Sequence, residues 1–306
     1  MRVLVTGGAG FIGSRLALQL ASTGHDVTVA DDFTSAHWSN LIDFRADVLT
    51  IDVAAEPARL AEHQPFEVIF HQASITDTTV TDQHKMTFNN VEGFRNLLQM
   101  AERWQSQIIW AGSASVYGNG QAPMKESAKP APLNVYAYSK LAMEHLADQY
   151  RQRLKKPIVG LRYFNVYGPG EDHKGRFASM IHQLAKQMRA GRQPRIFTAG
   201  EQRRDFVYVD DVVQANIAAV QSKRGGVFNV GSGKSWTFNQ VVADLNRVLG
   251  TSLEPEYFHN PYRFTQDWTE ADLTESRRCF GYEPKFDLAK GIDAYQASGK
   301  LGVEIS

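Results

Sequence analysis

The opening segment restricts the fold of this chain more than any other stretch. Arg2 to Thr6 is a short β-branched run that predicts a strand, and Ser14 to Thr23 has helical periodicity with a stop at Gly24. A strand, a glycine turn and a helix in this order let the backbone approach a pyrophosphate at the positive end of the helix. The opening therefore predicts dinucleotide binding, with a purely structural turn as the alternative. The glycines are spaced G-x-x-G-x-x-G, at Gly7, Gly10 and Gly13.

Acidic residues at two predicted strand ends suit the adenosine part of such a cofactor. The strand Asp26 to Ala30 ends in Asp31 and Asp32, where a carboxylate could accept hydrogen bonds from a ribose. Asp31 favours NAD over NADP, because a 2′-phosphate would meet a carboxylate unless a nearby cation offset it. Asp52, in the strand end Leu49 to Val53, could accept the adenine amino group. An exposed acid without a ligand is an equal alternative for Asp52.

Predicted strands and helices alternate through the first half of the chain. Glu67 to Ser74 is a buried strand that runs into small residues, Thr87 to Trp104 is an amphipathic helix, and Gln107 to Ala111 is the strand before Ser113. Alternation of this kind predicts an α/β fold with a Rossmann-type, doubly wound parallel sheet. Its ligand should lie at the carboxyl ends of the strands. The small residues of Gln72-Ala73-Ser74 would leave room for ribose and phosphates.

The length of 306 residues allows one large domain or two closely joined domains. We expect a dinucleotide-binding domain over 1–165, with returning segments at about 204–233. A smaller C-terminal α/β domain, over 166–203 and 234–306, should bind the substrate.

A hydroxyl, a phenol and an ammonium have the spacing that hydride transfer requires. Tyr136 and Lys140 are four residues apart, so they share one face of a helix predicted after Pro132. A tyrosine acting as a base near pH 7 needs its pKa lowered by about 3, or about 4 kcal/mol. The Lys140 ammonium and a cofactor's positive charge could supply this in a partly dry cleft. Ser113 would then hydrogen-bond the reacting oxygen. Alone, the tyrosine–lysine spacing also occurs by chance in helices.

Composition excludes several classes of partner. Lys plus Arg equals Asp plus Glu at 33 each, so no net field attracts nucleic acid or an acidic membrane, and a small-molecule partner is expected. The single cysteine, Cys279, excludes an internal disulfide and suits a reducing compartment. No secretory signal and no apolar run of about 18 residues is visible, so we expect a soluble, cytoplasmic protein. The nine histidines lack ligand spacing, so no metal site is predicted; His71 is expected to be a hydrogen-bonded core residue.

With the glycine turn, Ser113, Tyr136 and Lys140 in one chain, the sequence resembles the extended short-chain dehydrogenase/reductase family, the nucleotide-sugar epimerases and dehydratases. The resemblance covers essentially the whole chain. It implies that bound NAD or NADP takes a hydride from a secondary alcohol of the sugar, giving a ketone that is reduced again from its other face. We also expect a homo-oligomer, a dimer or larger. The further motifs are Pro132-Leu133-Asn134-Val135-Tyr136, Arg162-Tyr163-Phe164-Asn165-Val166-Tyr167-Gly168-Pro169, His173-Lys174-Gly175, Arg204-Asp205-Phe206-Val207-Tyr208-Val209 and Gly231-Ser232-Gly233.

The resemblance also implies roles for single residues. Lys174 resembles the second acid/base of the heptose epimerases, and a solvated loop lysine is the alternative. Arg204, and less strongly Arg203, would suit a nucleotide diphosphate, whereas a structural ion pair of Arg204 with an acid such as Asp211 is nearly as favoured. The expected substrate-binding residues are Ser113, Asn165, Lys174, Arg204 and Tyr262, with Phe264 and Gln266 nearby. The expected cofactor-binding residues are Gly7, Gly10, Phe11, Ile12, Gly13, Asp31, Asp32, Asp52, Val53, Gln72, Ala73, Ser74, Asn90, Tyr136, Lys140, Tyr163, Asn165 and Val166.

The residues after Ser113 restrict the type of reaction that we expect this chain to catalyse. Sugar dehydratases of the family carry an Asp-Glu pair there, because eliminating water requires a general acid and a base, and this chain has Ala114-Ser115. Epimerisation or simple ketone reduction therefore remains, and the resemblance makes epimerisation of a heptose the leading hypothesis. A UDP- or dTDP-hexose 4-epimerase, a 4-ketosugar reductase and a non-enzymatic NAD(P)-binding protein are the alternatives. The chain departs from typical heptose epimerases at Asp31 to Asn40, which has no lysine or arginine to bind a 2′-phosphate, and at Thr265 to Asp267.

Overall fold

The structure is a computed structural model, and it describes residues 1–260 and 266–303. Within these residues the strands are β1 (Arg2–Thr6), β2 (Asp26–Asp31), β3 (Asp47–Thr50), β4 (Val68–His71), β5 (Gln107–Ser113), β6 (Ile158–Tyr163), β7 (Asn165–Tyr167), β8 (Arg195–Phe197), β9 (Arg203–Arg204), β10 (Phe206–Tyr208), β11 (Gly226–Val230), β12 (Trp236–Thr237) and β13 (Glu256–Phe258). The α-helices are α1 (Phe11–Ser22), α2 (Pro57–Ala61), α3 (Gln83–Thr87), α4 (Gly93–Trp104), α5 (Val135–Tyr150), α6 (Met180–Arg189), α7 (Val209–Ala219), α8 (Phe238–Leu249), α9 (Thr274–Phe280) and α10 (Leu288–Ala297).

The large sheet has the strand order β11-β6-β5-β4-β1-β2-β3, and all of its pairings are parallel. This confirms the predicted doubly wound sheet. The chain runs from β1 to β2 on one side and later to β4 on the other, so the order reverses beside β1. A crevice opens at such a reversal, at the carboxyl ends of the strands, and it is where α/β proteins of this topology bind ligands.

Separate apolar layers cover the sheet and build a smaller substructure beside it. One face packs on α1 and α7 through residues such as Leu16 and Val213, and the other packs on α4 and α5 through Leu97 and Met143. Helices α6, α8 and α10 surround a further core that includes Ile181, Leu245 and Ile292. Three two-stranded pairings, β7 with β10, β9 with β12 and β8 with β13, accompany this part of the chain. The domain boundaries given above remain a prediction.

Several element boundaries differ from those predicted. The helix predicted from Thr87 begins earlier, with α3, and a π-helical turn over Phe88–Glu92 joins α3 to α4. Strand β3 ends at Thr50, so Asp52 lies in the loop beyond it. The sequence from Phe177 to Arg189 has a helical pattern, but helix α6 begins only at Met180, since the Ser179 side chain caps it. The loop before it contains a 3₁₀-helix, Asp172–Phe177. Other 3₁₀-helices are Trp38–Leu41 and Ala114–Tyr117.

Candidate active site

A cleft of about 1020 Å³ lies at the carboxyl edge of the sheet. Cavities for a single drug-sized ligand hold roughly 300–1000 Å³, so this cleft has room for more than one small ligand. Its wall comes from the glycine turn, the ends of β2, β4, β5 and β6, the first turn of α5 and the 3₁₀-helix after residue 171. The predicted site residues that the structure describes line this cleft, except Asn90, Arg203 and Gln266. Tyr262 and Phe264 lie outside the described residues.

The glycine turn fits a pyrophosphate. Gly7 has a φ of +66°, and a Cβ there would lie 2.4 Å from the backbone nitrogen of Ala73. A Cβ on Gly13 would lie 2.1 Å from the Gly7 carbonyl oxygen. A Cβ on Gly10 would meet only the Gly7 oxygen, at 3.2 Å, so its other side opens into the cleft. Helix α1 begins at Phe11 and directs free backbone N–H groups to this opening, as an anion requires.

The two acids after β2 are fixed by backbone donors. Asp31 accepts hydrogen bonds from the N–H groups of Ala9 and Phe33, both at 2.9 Å. Burial raises the pKa of Asp31, and these two bonds oppose the rise. Each carboxylate oxygen can accept a second bond, so Asp31 can still receive ribose hydroxyls. Asp32 accepts from the backbone and the hydroxyl of Thr34.

The predicted adenine and ribose contacts occupy the next strand ends. Asp52 accepts from Ala54 N at 2.8 Å with one oxygen, and its neighbour Val53 is buried at the cleft wall. Gln72 and the Tyr163 hydroxyl lie 3.0 Å apart. The Ser74 hydroxyl oxygen is buried and has no hydrogen-bond partner among the described residues. Ligand atoms could provide that missing partner.

Asn90 acts beneath the cleft. It is fully buried in the π-helical turn, where its side chain bonds the backbone N–H and carbonyl of Ile75 and the hydroxyl of Ser139. It therefore joins the loop after β4 to helix α5. The direct contact of Asn90 with a cofactor stays a prediction.

Ser113, Tyr136 and Lys140 meet where β5 ends beside the first turns of α5. Asn134 caps the helix by accepting from Ala137 N, which fixes the start of the turn that carries Tyr136. Lys140 is 2% exposed, and its Nζ lies 5.7 Å from the centroid of the Tyr136 ring. The predicted one-face arrangement is therefore present.

Without a cofactor, the surroundings of Tyr136 do not lower its pKa. Burial raises this pKa above its ordinary value of 10.0, and a hydrogen bond with Ser113 offsets only part of the rise. Burial also lowers the pKa of Lys140 to about 7, and its Nζ donates to the Ala111 carbonyl oxygen at 2.8 Å. Lys140 alone therefore leaves the phenol protonated at neutral pH.

Lys174 lies on a loop that buried contacts hold in shape. Glu171 accepts hydrogen bonds from Gly168 N and from the hydroxyl and N–H of Ser179, so it joins the two ends of the loop. The Lys174 Nζ lies 5.8 Å from the centroid of the Phe11 ring, at the glycine turn. Burial lowers the pKa of Lys174, and the nearby Glu171 opposes this. This half-buried position differs from that of a fully solvated loop lysine.

At the other end of the cleft, Arg204 lies beside aromatic side chains. Burial lowers its pKa to about 10, and its guanidinium carbon lies 5.9 Å from the centroid of the Phe238 ring. The Asp211 carboxylate accepts from the backbone N–H groups of Lys285 and Phe286, whereas the charge of Asp267 opposes the fall in the Arg204 pKa. The choice between a diphosphate contact and a structural ion pair of Arg204 stays a prediction.

The other predicted residues near this end, Arg203 and Gln266, bond other parts of the protein and do not line the cleft. Arg203 instead bonds the hydroxyl and the carbonyl oxygen of Ser235. Gln266 donates to the Gly118 carbonyl oxygen. The cleft residues that sequence reasoning missed include Phe197, Gln202 and Phe238, for which no pattern gave a signal.

In 1–260 and 266–303, no group of three or more His, Cys, Asp or Glu side chains could hold a metal ion. No helix of the same residues is long and apolar enough to cross a membrane. His71 is buried and its Nδ1 lies 2.7 Å from the Thr6 hydroxyl, which confirms it as a hydrogen-bonded core residue.

A parallel sheet of this order, a glycine turn and a Ser–Tyr–Lys group in one cleft define a class of nucleotide-sugar enzyme. The chain belongs to the NAD dependent epimerase/dehydratase family, whose pattern matches residues 3–231. It is 35% identical over 316 aligned residues to an ADP-L-glycero-D-manno-heptose-6-epimerase of Brachyspira hyodysenteriae, with 96% of each chain covered.

Solved structures agree with this assignment. The Helicobacter pylori ADP-L-glycero-D-manno-heptose-6-epimerase superposes with a TM-score of 0.91 and 38% identity, covering 97% of this chain and 95% of that one. A UDP-glucose 4-epimerase of Thermotoga maritima, solved with UDP-glucose, has a TM-score of 0.91 and 30% identity, covering 98% and 99%. The protein is therefore a nucleotide-sugar epimerase by family and fold.

Proposed function

We propose that this protein is an NAD-dependent ADP-L-glycero-D-manno-heptose 6-epimerase, which inverts C6 of the heptose through a transient ketone. The observation that carries the proposal is that Ser113, Tyr136, Lys140 and Lys174 line one cleft with the glycine turn. The motif His173-Lys174-Gly175 and the relatives from Brachyspira and Helicobacter support the heptose as the sugar.

The residues of the cleft divide the proton chemistry between them. Bound NAD would accept a hydride from the sugar carbon and return it, and its oxidised ring would add a positive charge near Tyr136. Tyr136 takes the hydroxyl proton during oxidation, and Ser113 donates a hydrogen bond to the reacting oxygen. After the sugar carbon has rotated, Lys174 acts as the acid/base for the proton on the face opposite Tyr136. Hydride and proton both return to the sugar, so there is no net oxidation.

NAD is the cofactor that the adenosine end favours over NADP. Asp31 is held by two backbone N–H groups, so its carboxylate cannot turn away from a ribose 2′-position. Residues 31–40 contain no lysine or arginine to pair with a 2′-phosphate. Titrating the cofactor-stripped protein with each dinucleotide tests this preference. Tighter binding of NADP would contradict it.

Arg204 is proposed to bind the diphosphate of the substrate. Its planar guanidinium can hold phosphate oxygens in pairs, and Phe197 and Phe238 offer apolar surface for the nucleotide nearby. A UDP-hexose 4-epimerase remains the second candidate, since the Thermotoga relative is equally similar in fold. The position of Lys174 in the cleft favours the heptose enzyme, because inversion at C6, in the rotatable side chain of the sugar, would use a second acid/base.

The deciding experiment incubates purified protein with ADP-D-glycero-D-manno-heptose and no added reductant. NMR should show conversion to the L-glycero epimer, and the variant Lys174→Met should lose it. UDP-glucose in a parallel incubation should remain unchanged. Failure to form the L-glycero epimer removes the heptose assignment, and 4-epimerisation of UDP-glucose establishes the alternative. Consumption of added reduced cofactor with a ketosugar would instead indicate a reductase.

A further inference from the structure

Asn40 connects the glycine turn to the loop that carries Lys174. Its Nδ2 lies 3.0 Å from the Ala9 carbonyl oxygen and 3.2 Å from His173 Nδ1. Ala9 also donates its N–H to Asp31, so its peptide groups are held on both sides. Asn40 and His173 are 133 residues apart in the chain. The contact therefore joins two separate loops at the edge of the cleft.

The chemistry of the partners fixes which atoms donate. A carbonyl oxygen only accepts hydrogen bonds, so the Asn40 atom beside Ala9 must be the amide nitrogen. The second N–H of the same nitrogen then points to His173 Nδ1, which accepts it. An accepting Nδ1 carries no proton, so the neutral His173 ring holds its proton on Nε2.

Further contacts hold the loop that carries Lys174 against the glycine turn. The Lys174 Nζ lies over the ring of Phe11, the first residue of α1. A Cβ on Gly170 would lie 3.8 Å from both the Asn40 Oδ1 and the Phe11 ring, so the backbone passes close to both side chains. Glu171 fixes the ends of this loop, as described above, whereas Asn40 and Phe11 set its distance from the glycine turn.

We propose that Asn40 and His173 are positioning residues, which fix the Lys174 ammonium relative to the backbone that binds the dinucleotide. The glycine turn would then position both the cofactor and the second acid/base. This inference rests on the proposed function, because it treats Lys174 as an acid/base. A displacement of about 1 Å in a reacting group can cost about 100-fold in rate, so a loose Lys174 would slow turnover.

A double-mutant cycle tests the proposal on the full-length protein. Asn40→Ala should lower kcat for heptose epimerisation about 10- to 100-fold, with little change in KM or NAD affinity. In a Lys174→Met background the same substitution should cause no further loss, since it acts only through Lys174. Asn246→Ala is the matched control. It removes an amide that bonds the backbone of Leu253, away from the cleft, and should leave kcat unchanged.

Hydrogen exchange and NMR test the proposal without a measurement of catalytic activity, and two His173 variants then test it by activity. Hydrogen exchange over 170–178 should rise in the Asn40→Ala protein and stay unchanged in the Asn246→Ala protein. The ¹⁵N NMR shifts of His173 should show a proton on Nε2 in the wild type. His173→Asn, whose carboxamide oxygen can take the place of Nδ1, should keep more activity than His173→Leu.

The outcomes separate this inference from the function on which it rests. If Lys174→Met keeps full activity, the acid/base role of Lys174 fails, and the proposed mechanism fails with it. If Lys174→Met is inactive but Asn40→Ala behaves like wild type, only the positioning role is overturned. An equal loss from Asn40→Ala in both backgrounds overturns it as well. Where residual activity is too low to compare, unchanged exchange over 170–178 decides against the proposal.

Discussion

Replacing Lys140 with methionine tests whether the buried Lys140 ammonium lowers the free energy of unfolding. Burial lowers the pKa of Lys140 from 10.5 to about 7, and this difference corresponds to about 5 kcal/mol against the charged form. Methionine has a similar length and no charge, and the substitution also loses the hydrogen bond to Ala111, worth about 1 kcal/mol. Relaxation of the site reduces the charge penalty. We therefore expect Lys140→Met to be about 2 kcal/mol more stable near pH 7 and inactive.

The pH dependence of this gain has a definite sign. Between about pH 7 and 10.5 the unfolded chain keeps the Lys140 proton and the folded protein releases it. The unfolded state then binds more protons, so this group makes the wild type more stable as the pH rises. Lys140→Met lacks the group. Its advantage should be largest at and below about pH 7 and should shrink towards about pH 9.

Urea unfolding of both proteins at about pH 6, 7.5 and 9 measures the effect. The proteins must be stripped of cofactor first, because bound NAD would stabilise the folded state by mass action. Lys129→Met is the control, since Lys129 is exposed and its loss should change stability by less than about 0.5 kcal/mol. A Lys140→Met protein that is less stable than wild type at every pH, or that keeps a constant advantage, would refute the argument.

Four further substitutions probe the rest of the cleft. Tyr136→Phe keeps the ring but removes the hydroxyl, so kcat should fall about 10²- to 10⁴-fold while an NAD titration gives unchanged affinity; unchanged turnover would rule out its role. Gly13→Ala would set a methyl group 2.1 Å from the Gly7 oxygen, so thermal unfolding should reveal a loss of about 1–3 kcal/mol. Gly10→Ala, where only the 3.2 Å contact arises, should instead stay stable and lose NAD affinity. Arg204→Lys keeps the charge but not the planar fork, so the KM for the nucleotide sugar should rise about 10-fold; an unchanged KM would exclude the diphosphate contact.

Local sequence signals were sufficient for the elements that position the cofactor. The run from Arg2 to Thr6 is β1 as predicted, and Gly7, Gly10 and Gly13 form the turn before α1. These signals are strong because a buried parallel strand needs continuous apolar residues, and a tight turn needs glycine where φ is positive. The one-turn spacing of Tyr136 and Lys140 was reliable for the same reason, since helix geometry fixes it.

The support around these residues could not be read from the sequence. The Asn40–His173 contact and the bonding of Gln72 and Tyr163 to Asn216 join residues far apart in the chain, and no local pattern encodes such pairs. The raised pKa of Tyr136 in the protein without a cofactor could not be read from the sequence either. Spacing placed Lys140 on the correct face, but it could not reveal that the ammonium is buried and donates to Ala111.

The two residues after Ser113 explain why this cleft suits inversion and not elimination. Ala114 is 5% exposed, the Ser115 hydroxyl oxygen is buried, and neither residue lines the cleft. A carboxylate placed at either position would lose its hydration, and without a charged or hydrogen-bonded partner this costs several kcal/mol. The acid and base for loss of water thus cannot be added here by a simple exchange of side chains. In the proposed mechanism the proton transfers are therefore assigned to Tyr136 and Lys174, since inversion through a ketone uses two such groups on one sugar carbon.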